Sequence, residues 1–120
     1  MKINAHEIND IKIAEVISTD ILIREIDEAL DLIGNLSYQG FDKMILHERH
    51  IISHFFHLKN KLAGEILQKF TQYQMPLAIV GDFAKFNSKS LNDFINESNK
   101  GKHVNFATST TEALHLLSRR

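Results

Sequence analysis

Four histidines fall between positions 47 and 57, at His47, His50, His54 and His57. Neutral imidazole is a common ligand of zinc and other transition metals, so this is the densest set of candidate metal ligands in the chain. The spacing His47-Glu48-Arg49-His50 is not the zincin His-Glu-x-x-His, which sets two histidines one helical turn apart. His50, His54 and His57 share a face only if their segment is helical, whereas Ile51-Ile52 and Phe55-Phe56 read as a loop or partial turn pinned by apolar residues. Were those three to converge, the chemistry would be metal-dependent hydrolysis by a bound water. Solvated loop histidines are the plainer reading, and the hydrolase stands as the alternative.

A second set of polar residues lies in the loop from Gly81 to Ser90, which carries Asp82, Lys85, Ser88, Lys89 and Ser90. It leaves an apolar run and feeds a helical pattern, so backbone amides, two hydroxyls and two ammonium groups can face one anionic group or a protein surface. No Gly-x-Gly-x-x-Gly and no Walker sequence accompanies it, which argues against a dedicated nucleotide enzyme. Phe83 and Phe86 in the same loop suit the core or, where exposed, a protein partner. No nucleophile stands out: there is no Gly-x-Ser-x-Gly elbow, and Ser88, Ser90 and Ser98 each have a capping or surface role to fill. Asp27 and Asp31 belong to the outer face of a helix. The residues therefore nominate no catalytic group and no cofactor.

The elements that must position these residues are legible from periodicity. Met75-Pro-Leu-Ala-Ile-Val-Gly-Asp-Phe83 is a short apolar run opened by the only proline and closed by Gly-Asp, as a parallel strand reads when helices cover both its faces. Ligands of open α/β sheets gather beyond the carboxyl ends of such strands, which points to the loop 81–90. Ile3 to Ile8 and Ile11 to Ile17 predict a hairpin turning at Asn9-Asp10. Ile23, Ile26, Leu30 and Ile33 predict a helix over 20–34 capped by Thr19 or Asp20, with an exit loop from Gly34 to Gly40. Lys43 to His47 predicts a strand. Lys59 to Tyr73 predicts a helix with Leu62, Ile66, Leu67 and Phe70 inward. Ser90 with Asp93 resembles a capping box ahead of a third helix that Gly101 closes. Val104 to Ala107 gives a last strand, and the Thr-rich run 108–111 starts a short terminal helix with Ala113, Leu114 and Leu117. The sum is β-β-α-β-α-β-α-β-α, a single α/β domain over 1–120 with a mixed sheet of about five strands.

Composition bounds the function classes. With 14 Lys and Arg against 15 Asp and Glu, the net charge of −1 offers no field to gather nucleic acid or an anionic membrane. The absence of cysteine excludes disulfides, thiolate ligands and thiol nucleophiles, and fits a reducing cytoplasm. No apolar run reaches the roughly 18 residues of a membrane span, and the amino terminus lacks a signal peptide's apolar segment. A cytoplasmic protein is expected. The apolar hairpin, its outer strand an open sheet edge, allows a homodimer.

The patterns Asp42-Lys-Met-Ile-Leu46, Leu62-Ala-Gly-Glu-Ile-Leu67, Leu77-Ala-Ile-Val-Gly-Asp-Phe83 and Lys89-Ser-Leu-Asn-Asp-Phe94 resemble a small bacterial family known only as a domain of unknown function. The element order is also similar to that of STAS domains, the fold of the anti-sigma-factor antagonists. That likeness implies a non-enzymatic binding or regulatory module meeting a protein partner, or a small anion, at the carboxyl edge of the sheet. It also implies a phosphorylated Ser or Thr at the start of the second helix. Here that segment reads Lys61-Leu62-Ala63 and the acceptor position falls near Asn60, an amide that cannot take phosphate. The candidate edge is thus Asn60, Lys61, Asp82, Lys85, Ser88, Lys89 and Ser90.

Overall fold

Asn9 and Asp10 both take positive φ, 54° and 66°. That is the signature of a type I′ turn, whose twist matches the strands it joins. It closes the hairpin of β1 (Lys2–Ile8) and β2 (Ile11–Ile17) in unbroken antiparallel register, from Ile8 against Ile11 to Lys2 against Ile17. The remaining elements are α1 (Ile26–Tyr38), β3 (Lys43–His47), α2 (Leu62–Gln72), β4 (Leu77–Val80), α3 (Lys89–Ser98), β5 (Val104–Ala107) and α4 (Thr110–Leu117). The structure, a computed structural model, describes residues 1–57 and 61–119.

The five strands lie in the spatial order β1-β2-β3-β4-β5, with β1 antiparallel to β2 and every later neighbour parallel. The predicted α/β class and mixed sheet are therefore present. Each parallel crossover steps one strand in the same direction, and crossovers of one hand put their helices on one face. Accordingly Leu36 of α1, Phe70 of α2 and Leu91 of α3 share a core with Ala14, Met44, Leu46, Leu77, Ile79 and Phe106. The alternate strand residues Ile13, Ile45, Ala78, Val80 and Ala107 face the other way, under Ala113 and Leu117 of α4. All four residues of β4 are buried, as its position between the two layers requires. Lys43 ties α4 down by donating from Nζ to the carbonyls of Leu117 (2.8 Å) and Arg119 (3.2 Å), where a cation also offsets the helix dipole.

Both ends of α1 and of α3 differ from expectation. The first helix begins at Ile26 and continues through Gly34 to Tyr38, so residues 35–38 are helix rather than exit loop. Ile23 is instead buried in a parallel bridge with Ile51, and the inner face of α1 is Ala29, Leu32, Ile33 and Leu36. Ser88, not Ser90, caps α3 by accepting from the Leu91 amide at 3.1 Å, while Asp93 pairs with Lys89. That helix ends at Ser98, with Gly101 beyond its cap.

The two margins of the sheet are treated differently. Along β5, Asn99 replaces a neighbouring strand: its Oδ1 accepts from the Phe106 amide at 2.7 Å and its Nδ2 donates to the Phe106 carbonyl at 3.1 Å. Ser98 Oγ donates to the Val104 carbonyl beside it. Along β1, no backbone group of residues 2–8 has a partner outside the hairpin among the described residues.

Candidate functional site

The carboxyl ends of β3 and β4 meet at Glu48. This side chain lies over Gly81, where Oε1 accepts from the Asp82 amide at 3.2 Å and Oε2 pairs with Lys85 Nζ at 2.8 Å. A Cβ on Gly81 would sit 2.8 Å from Glu48 Cγ, so glycine there makes room for the carboxylate. Lys85 Nζ also stands 5.4 Å from the centre of the Phe86 ring. Its charge is thus already engaged by a carboxylate and an aromatic face, and Lys89 is paired with Asp93 at 2.9 Å. Neither lysine presents an unanswered charge to a small anion.

What the loops enclose is apolar. A groove of about 310 Å³ lies against Ile21, Ile52, Phe56 and Phe86, with Glu48, Arg49 and Lys85 at its rim. Phe56 stacks on Phe86 at 4.9 Å and on Phe55 edge-on at 4.9 Å, so the groove wall continues into the core. Phe83 is buried and meets Phe106 edge-on at 5.2 Å, whereas Phe86 is half-buried and faces the groove. Ile21 is 41% exposed and stands at this groove. Arg49 donates from Nε to the Ser18 carbonyl at 3.4 Å and is paired with no carboxylate among the described residues.

His50 is fully buried. Its Nδ1 accepts from the His47 amide at 3.0 Å, so in the neutral ring the proton sits on Nε2, which faces the Ser18 carbonyl at 3.0 Å. Burial holds its pKa below the ordinary value, opposed by the hydrogen bond to the Ser18 carbonyl and aided by Arg49 and His47. Both ring nitrogens are therefore committed, and neither is presented to a metal. His54 and His57 are exposed, and no three His, Cys, Asp or Glu residues are grouped to hold a metal ion among the described residues.

The remaining predicted edge residues scatter. Lys61 is exposed with φ 66° at the start of α2, Asp82 is exposed at the entry to the turn 83–86, and Ser90 is exposed within α3. Asn60 lies outside the described residues. Among the described residues of the set, only Lys85 lines the groove. Sequence reasoning missed Ile21, Glu48, Arg49 and Phe56 there, and also a cluster on the part of the sheet that α4 leaves open. In that cluster Glu15 Oε1 sits 2.9 Å from His6 Nε2 and Oε2 sits 3.9 Å from His47 Nε2. The signal available was polar residues at inward-alternating positions of strands, namely His6, Glu15 and His47.

Fold and site together define an α/β protein with a mixed five-stranded sheet and an apolar groove at the carboxyl end of its central strands. The chain belongs to the family described as Domain of unknown function (DUF4180), whose family model matches residues 8–117. No curated protein and no solved structure matches it. No helix among the described residues is long and apolar enough to cross a membrane.

Proposed function

We propose that this chain is a non-enzymatic binding module of STAS-like architecture, regulatory, bacterial and cytoplasmic, that grips a protein partner at the carboxyl edge of its sheet. The observation that carries the reading is the groove: an apolar floor of Ile21, Ile52, Phe56 and Phe86 beside Arg49, a cation without a carboxylate among the described residues. Apolar floors with a charged rim suit protein contacts, where aromatic and arginine side chains dominate affinity. The matching partner segment presents a large apolar side chain next to a carboxylate. A small anion is the weaker ligand, because Lys85 and Lys89 already hold Glu48 and Asp93. The metal-dependent hydrolase on His50, His54 and His57 has less support, because His50 spends both ring nitrogens inside the fold.

The test is quantitative capture of partners from native lysate by the wild type, Ile21→Glu and Arg49→Glu, with thermal melts alongside. The expected result is a protein held by the wild type and weakened at least ~10-fold by either change, at unchanged stability. Capture indifferent to both substitutions overturns the groove. Stoichiometric metal retained after dialysis and lost in His54→Ala would move the reading to the hydrolase.

A further inference from the structure

We infer that β1 is a dimerisation strand that pairs antiparallel with β1 of a second copy of this chain, centred on Ala5. The inference is independent of the groove, which no residue of β1 lines.

The outward groups of β1 follow from its turn. In a hairpin closed by a two-residue type I′ turn, the closing pair exchanges both hydrogen bonds, and such narrow pairs then alternate along the strands. Ile8 against Ile11 is that closing pair, so Ile8, His6, Asn4 and Lys2 turn their amides and carbonyls toward β2. Ile3, Ala5 and Glu7 turn theirs outward, and no partner meets them among the described residues.

Apart from the charges of Lys2 and Glu7, the strand carries none of the devices that blunt an edge. It has no proline and no bulge, and its seven residues exceed the usual five or six. The opposite margin, by contrast, is sealed by Asn99 and Ser98. An edge left unpaired in this way is a template for another strand.

The second copy is the occupant that the sequence of β1 fits. A two-fold axis normal to the sheet preserves its faces, so residues meeting across the axis must have the same parity. Centring on Ala5 sets Ala5 against Ala5, Ile3 against Glu7 and Glu7 against Ile3, and all three outward-facing residues then become narrow pairs. The same register sets Asn4 against His6 and Lys2 against Ile8. No like charges meet, and the small alanine stands at the axis, where each side chain faces its own copy. The interface is isologous and closed, so it ends at two copies.

Ala5→Pro tests the contact without breaking the hairpin, because the amide it removes points outward and edge strands accept proline at such positions. Light scattering of the wild type should give twice the 13.8 kDa chain mass, and Ala5→Pro should weaken association at least ~10-fold with an unchanged far-UV spectrum. The chain lacks cysteine, so Ala5→Cys gives a second readout that does not depend on the proline variant folding: a short bis-maleimide, which spans the roughly 5.5 Å of a hydrogen-bonded pair, should yield a covalent dimer. A wild-type mass of one chain up to ~100 μM, a dimer indifferent to Ala5→Pro, or an Ala5→Cys protein that fails to crosslink overturns the assignment.

Discussion

Glu48 and Gly81 face each other across the carboxyl edge so closely that a methyl group on Gly81 would stand 2.8 Å from Glu48 Cγ. Gly81→Ala must therefore push Glu48 off the Asp82 amide and away from Lys85. Overpacking of this kind costs about 1–3 kcal/mol. Urea unfolding should show that loss, and the same substitution should cost clearly less in a Glu48→Ala background. Equal costs in both backgrounds would show that the two positions are not coupled.

His50 makes the stability pH-dependent. Its folded pKa lies below the ordinary 6.5 because the ring is buried, and burial shifts His47 the same way, aided by Arg49 and opposed by Glu15. On acidification the unfolded chain takes up protons that the folded chain resists, so stability is fully present above about pH 6.5 and declines as pH falls below it. Melts between about pH 7.5 and 5.5 should show a falling Tm, and His50→Gln, which keeps a donor and an acceptor, should flatten the slope. A Tm that rises or stays level across that range would contradict the buried neutral ring.

Asn99→Ala should expose the β5 margin. It leaves the Phe106 amide and carbonyl without their partner, at a cost of about 1–3 kcal/mol. It also creates a second open edge. Sedimentation should then find species larger than the wild-type assembly, whereas an unchanged profile and melt would show that Asn99 does not guard the edge.

The two lysines of the loop should behave differently. Lys85→Glu sets a second carboxylate against Glu48 at the groove and should reduce both stability and partner capture. Lys89→Glu changes a surface pair away from the groove and should leave the melt nearly unchanged while sparing capture. Equal effects of the two reversals on capture would extend the contact surface to the start of α3.

The sequence by itself determined the elements whose residues satisfy a local rule. Lys43–His47 and Val104–Ala107 stand where their apolar runs place them, and Asn9-Asp10 makes the predicted turn, because burial and turn chemistry act over a few residues. Tertiary structure decided what depended on distant partners. The helix starts at 26 rather than 20 because Ile23 has a strand-like neighbour in Ile51, and α1 runs through Gly34 because Leu32, Ile33 and Leu36 on either side of it are buried. The histidine run reads as solvated loop residues, with a ligand set as the alternative, whereas the fold buries His50 between the Ser18 carbonyl and the His47 amide. Glu48 reads as one more surface carboxylate until β3 and β4 align side by side and bring Gly81 and Lys85 under it. Asn99, for which the sequence suggested no role, acquires one only when β5 returns alongside it. The contacts of Ile23 with Ile51, His50 with Ser18 and Glu48 with Gly81 join distant chain positions that only the assembled sheet brings together, and no local propensity encodes a partner of that kind.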